Sequence, residues 1–132
     1  MNLVRYISFL FFSYLLSEET PFGNRLDFGL IESNLISEAS GVASSWRNSN
    51  LLWTHNDSGD GPTIYAIDYT GRDVASLELI GTRARDWEDI AVGPGINSNH
   101  PCLYVADIGD NYAHKKFYSI HVVPEPEISP AD

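Results

Sequence analysis

The sequence predicts an all-β chain, on three observations. Between residues 41 and 123, short runs rich in β-branched and aromatic residues recur, each closed by a cluster of Asn, Asp, Gly or Pro. No stretch beyond the first residues carries a helical apolar period long enough to compete. The series also restarts. The segment at Gly41 returns at Asp89, an offset of 48 (89 − 41), Trp53 returns as Tyr104, an offset of 51 (104 − 53), and Tyr65 as Tyr118, an offset of 53 (118 − 65). A four-strand unit repeating at about 50 residues is the pattern of a β-propeller blade. The expected architecture is therefore a β-propeller-type meander of about two blades. Propellers close with about four to eight blades, so the expectation is an incomplete propeller, a piece of a longer protein.

The elements follow in order. The first residues hold one basic residue, Arg5, then an uncharged run over residues 6–16, then acid at Glu18 and Glu19. That run is about half of what a helix needs to cross a bilayer and matches the hydrophobic region of a secretory signal peptide. Residues 1–18 are read as a signal peptide, implying a secreted protein, with an uncleaved N-terminal anchor or a cytosolic protein with a misassigned start as the alternatives. Residues 19–35 read as a linker. The first blade takes "GVASS" (41–45), "LLWTH" (51–55), "TIYAIDY" (63–69) and "DVASLELI" (73–80) as strands. The second takes "DIAVG" (89–93), "CLYVADI" (102–108) and "FYSIHVV" (117–123), with no fourth strand in evidence. Both blades fall within residues 36–123, and residues 124–132 read as a truncated or linker segment.

Composition narrows the function. A formal net charge of −10, spread along the chain, argues against nucleic acid and anionic membrane surfaces, which need clustered Lys and Arg. The single Cys102 excludes an intrachain disulfide framework and a cysteine zinc site, and its apolar run "PCLYVA" marks it as a small core residue.

In an up-and-down blade, the start of the first strand and the end of the second lie at one end. Four polar stretches, "SEAS", "HNDSGDG", "RDWED" and "ADIGDN", should then share that end. Clustered carboxylates and amides suit a hard cation, since Ca²⁺ takes six to eight oxygen ligands. The candidate ligands are Glu38, Asn56, Asp57, Glu88, Asp89, Asp107, Asp110 and Asn111. "NDSGDG" is not an EF-hand loop, because its twelfth position is Ile67 rather than Glu. The competing reading makes these Asp and Asn residues turn caps. His55 is the histidine within the constellation, a general base in one reading and a packed core histidine in the other.

The motifs "HNDSG", "DWEDIA" and "DIGDN", set within residues 36–127, resemble a family of secreted, poorly characterised β-propeller-like proteins. The resemblance implies a propeller fold and an extracellular setting. A looser similarity, to calcium-dependent lactonase and gluconolactonase propellers, implies a metal held by Glu, Asn and Asp, with Glu38, Asn56, Asp89 and Asp107 in that role. The resulting expectation is an extracellular binding module with an acidic, Ca²⁺-binding face for a small molecule or protein. The alternative is a metal-dependent esterase- or lactonase-like hydrolase.

Overall fold

The structure is a computed structural model that describes residues 23–97 and 99–129. The signal peptide expected over residues 1–18 lies outside the described residues. Among these the chain is all-β, with seven strands and no helix. The strands are β1 (Ala39–Ser44), β2 (Leu51–Asn56), β3 (Thr63–Asp68), β4 (Asp73–Glu78), β5 (Trp87–Gly93), β6 (Cys102–Asp107) and β7 (Ser119–Pro124). They form two antiparallel sheets in sequence order, one of four strands (β1-β2-β3-β4) and one of three (β5-β6-β7). Each run read from the sequence is a strand. Ends shift by no more than two residues; β5, for example, begins at Trp87 rather than Asp89 because Trp87 pairs with Asp107 across a bulge.

The two sheets repeat one another in register. Ala43 faces Trp53 in the first, and Ala91 faces Tyr104 in the second. Each first strand also carries one irregularity at the same place, between Ala39 and Val42 in β1 and between Trp87 and Asp89 in β5. The third strands correct one expected equivalence. Trp53 pairs with Ala66 and Tyr104 with Val122, which makes His121 the counterpart of Tyr65. Tyr118 lies just before β7, so the loop after β6 is longer than the simple offset allowed.

Packing between the sheets uses non-equivalent faces. The first sheet contributes Leu51, Trp53, Ile64 and Ala66, and the second Ile90, Leu103 and Val105, with Trp87 at the start of β5. Trp53 corresponds to Tyr104, whereas Val105 corresponds to Thr54 on the opposite face of the first sheet. The sheets therefore stack front to back, as successive repeats do, rather than front to front. They approach through β1 and β5, where Gly41 lies against the backbone of Ile90. Trp53, Ile64, Trp87, Leu103 and Val105 are fully buried, each of the larger side chains contributing about 1.5–3 kcal/mol by leaving water. Cys102 is free and buried, as its apolar run indicated.

After β7 the chain crosses back to the β1–β2 turn. The Glu125 carboxylate is wholly buried there and accepts hydrogen bonds from Ser45 Oγ (2.5 Å), the Trp46 N–H (3.2 Å) and Trp53 Nε1 (2.9 Å). Arg47 adds an ion pair to Glu127 at 3.2 Å, and the Ile128 N–H bonds Asn48 Oδ1 at 2.8 Å.

Candidate functional site

At the opposite end, the starts of β1 and β5 meet the ends of β2 and β6. Three carboxylates converge there: Asp57 just past β2, Asp86 just before β5, and Glu88 inside it. One oxygen from each lies within 4.8 Å of the other two, and all three side chains are half-buried. Strand geometry accounts for the pair from β5. Trp87 is fully buried in the core, and residues at i − 1 and i + 1 of an extended chain project to the opposite side. Ser40 Oγ donates to the Glu88 carbonyl at 3.1 Å, tying the first strands of the two sheets together beside the group.

Gly109 closes this end. Its N–H donates to the Asp86 carbonyl at 3.1 Å. A Cβ at this position would lie 2.5 Å from Asp86 Oδ2 and collide with Glu88 Oε1, so only glycine lets the chain pass so near both carboxylates.

The electrostatics are those of uncompensated charge. Among the described residues no Lys or Arg pairs with Asp57, Asp86 or Glu88. At 4.8 Å two unit charges repel by about 1 kcal/mol with aqueous screening and about 3.5 kcal/mol with protein-like screening. A single Ca²⁺ with oxygens at about 2.3–2.6 Å would span that separation and reverse the sign of the interaction.

The other candidate residues are placed elsewhere or already engaged. Asn56 is spent on structure: Oδ1 accepts the Glu38 N–H (3.1 Å), and Nδ2 donates to the Leu35 carbonyl (2.7 Å) and Asp60 Oδ2 (2.6 Å). Glu38 contributes its backbone, also accepting the Asp57 N–H at 3.0 Å, while its side chain is exposed. Asp89 is exposed and accepts its neighbour's N–H, from Ile90, at 2.8 Å. Asp107 is buried and ion-paired to Lys115 Nζ at 2.8 Å. Asp110 caps the following loop, accepting the His114 N–H (2.8 Å), the Lys115 N–H (3.0 Å) and the Tyr118 hydroxyl (3.2 Å). Burial works to raise its pKa, but the two backbone bonds, the Tyr118 hydroxyl and the Lys115 charge outweigh it and hold the carboxyl below its usual value. Asn111 is exposed.

The structure thus brings Asp57 and Glu88 together and adds Asp86, which the candidate ligand set lacked. Alternation about Trp87 would have selected it: Asp86 and Glu88 share a side of the strand, and Asp89 falls beyond the bulge. Asp60 was also missed. It accepts from Tyr65 Oη at 2.9 Å as well as from Asn56. Burial and then this carboxylate push the Tyr65 hydroxyl up to about 12.

His55 is fully buried, its Nδ1 2.7 Å from the Asn56 carbonyl, and it packs edge-on to Trp87 at 5.8 Å. Its Nε2, Trp87 Nε1 and His121 Nε2 are buried without a hydrogen-bond partner. This histidine belongs to the core between the sheets. Compared with known proteins, the chain matches no family model, no curated protein and no solved structure.

Proposed function

We propose that the chain forms two blades of a propeller-like, extracellular binding module whose acidic end takes Ca²⁺ through Asp57, Asp86 and Glu88. The observation that carries this reading is the convergence of three carboxylates without a Lys or Arg partner, from the end of β2 and the start of β5, within 4.8 Å. The propeller reading draws support from the front-to-back stacking of two register-matched sheets through their first strands. The three side chains supply three or more of the oxygens such an ion needs; water or a ligand's own oxygens would complete the shell. A cation held that way can recruit a carboxylate- or hydroxyl-bearing partner, which is the work of a binding module. The hydrolase reading is weaker, because the histidine best placed for acid–base work is sealed in the core.

Isothermal calorimetry of the full chain with Ca²⁺ tests the proposal. One site per chain that Glu88→Gln and Asp86→Asn each weaken at least tenfold is expected. Absence of a binding heat at millimolar Ca²⁺, with no change in melting, would remove the metal from this end.

A further inference from the structure

Cations are scarce in this chain, with 8 Lys and Arg against 18 Asp and Glu, so a guanidinium without a carboxylate partner is the exception. Arg25, Arg47, Arg72 and Lys115 are each ion-paired. Among the described residues, Arg83, Arg85 and Lys116 form no ion pair. Two of these three share one place. Arg83 and Arg85 both line a cavity of about 370 Å³, between the segment that follows β4 and the start of β7.

The rest of the wall suits an anion. The Arg85 guanidinium lies over the Phe117 ring, 5.5 Å from its centroid. That contact uses the flat face of the guanidinium and leaves its N–H edge for an acceptor. Ser119 adds a hydroxyl, and His121 an imidazole whose Nε2 is buried without a hydrogen-bond partner. Asp107 also lines the cavity, but Lys115 Nζ neutralises it at 2.8 Å. The carboxylates of the cation site stand apart. Asp86 and Glu88 leave the chain on the side opposite Trp87, whereas His121 packs against the Trp87 ring at 5.9 Å.

We propose that this cavity binds the phosphoryl group of a small phosphate monoester. Two guanidinium forks and a hydroxyl offer more donors than the about four acceptor sites of one carboxylate, and the three terminal oxygens of a phosphate can accept them all. The volume falls within the range of small-molecule sites, about 300–1,000 Å³. It exceeds what a bare phosphate fills, which leaves the Phe117 side for the organic body of the ester. A net charge of −10 repels any phosphate at long range, so the affinity must come from these contacts.

NMR titration of the isotope-labelled full chain with phenyl phosphate, in calcium-free buffer, tests the proposal. One site is expected, with the shifts centred on residues 81–85 and 117–121. Arg83→Gln and Arg85→Gln should each weaken binding about tenfold or more. Lys116→Gln removes the same charge outside the cavity and should change it by less than about twofold. All three positions are exposed, and circular dichroism checks that each variant keeps its β spectrum. Inorganic phosphate, lacking the organic body, and benzoate, lacking the third oxygen, should each bind about tenfold more weakly than phenyl phosphate. The proposal is overturned if about 10 mM phenyl phosphate moves no resonance in these segments, if binding requires Ca²⁺, or if Lys116→Gln loses as much as the arginine variants. Equal binding of inorganic phosphate or of benzoate overturns the assignment to a phosphate monoester.

Discussion

The two ends of this molecule treat carboxylates in opposite ways. Glu125 is wholly buried yet meets a hydroxyl, a backbone N–H and an indole N–H. Asp57, Asp86 and Glu88 are only half-buried and converge within 4.8 Å of one another, with one backbone donor among them, the Ser58 N–H to Asp57 Oδ1 at 2.6 Å. Burial alone would rank Glu125 as the unusual acid. The donors reverse that ranking: a carboxylate supplied with donors fixes the fold, whereas carboxylates aimed at one another hold charge available for a cation. Asp60 and Asp110 belong with Glu125 in this respect, since their oxygens are committed to side-chain and backbone donors.

The largest expected effect breaks the structural end. Glu125→Ala strands the Trp53 indole N–H and the Trp46 N–H and should cost about 3 kcal/mol in urea denaturation. A loss below about 1 kcal/mol would place Glu125 among ordinary surface acids. Next comes Gly109→Ala, whose new methyl must displace the Asp86 and Glu88 carboxylates. It should destabilise by about 2 kcal/mol and disturb the acidic end, with the Glu125 end unmoved in chemical shift. Tyr65→Phe should cost about 1 kcal/mol at neutral pH through the lost bond to Asp60.

The same substitution changes the pH dependence. With the folded Tyr65 hydroxyl at about 12 against 10.0 in the unfolded chain, its contribution is complete below pH 10 and is lost as pH rises towards 12. Tyr65→Phe should flatten that alkaline limb. Asp60 acts in the opposite sense. Burial raises its pKa, but bonds from Asn56, Gly61 and Tyr65 outweigh it, so its contribution holds above pH 3.8 and fades as pH falls below. The smallest effect sharpens the comparison. Asp89→Asn should leave both stability and calcium response within about 0.5 kcal/mol of wild type, because Asp89 is exposed and outside the group.

The strands were legible because their signals are local: alternation, β-branched and aromatic runs, and Gly, Asn and Pro at the turns. The shared end was legible too, since an antiparallel meander fixes which loops meet. Membership of the carboxylate group was less so. It turns on which way side chains leave β5, and the bulge after Trp87 separates Glu88 from Asp89. Glu125 left no local trace at all. Its partners Ser45, Trp46 and Trp53 stand 80, 79 and 72 residues away, and "PEPE" by itself reads as a polar tail.

The central claim is that the Asp57, Asp86 and Glu88 group is a cation site. The most direct measurement is the thermal midpoint of wild type and Asp86→Asn, each with and without Ca²⁺. Saturation at one hundred times the dissociation constant should stabilise the wild type by about 2.7 kcal/mol. Without metal, Asp86→Asn should melt at or above the wild-type midpoint, because it relieves repulsion, and Ca²⁺ should add little to it. A wild-type midpoint indifferent to Ca²⁺, or a calcium shift that Asp86→Asn leaves intact, would contradict the account.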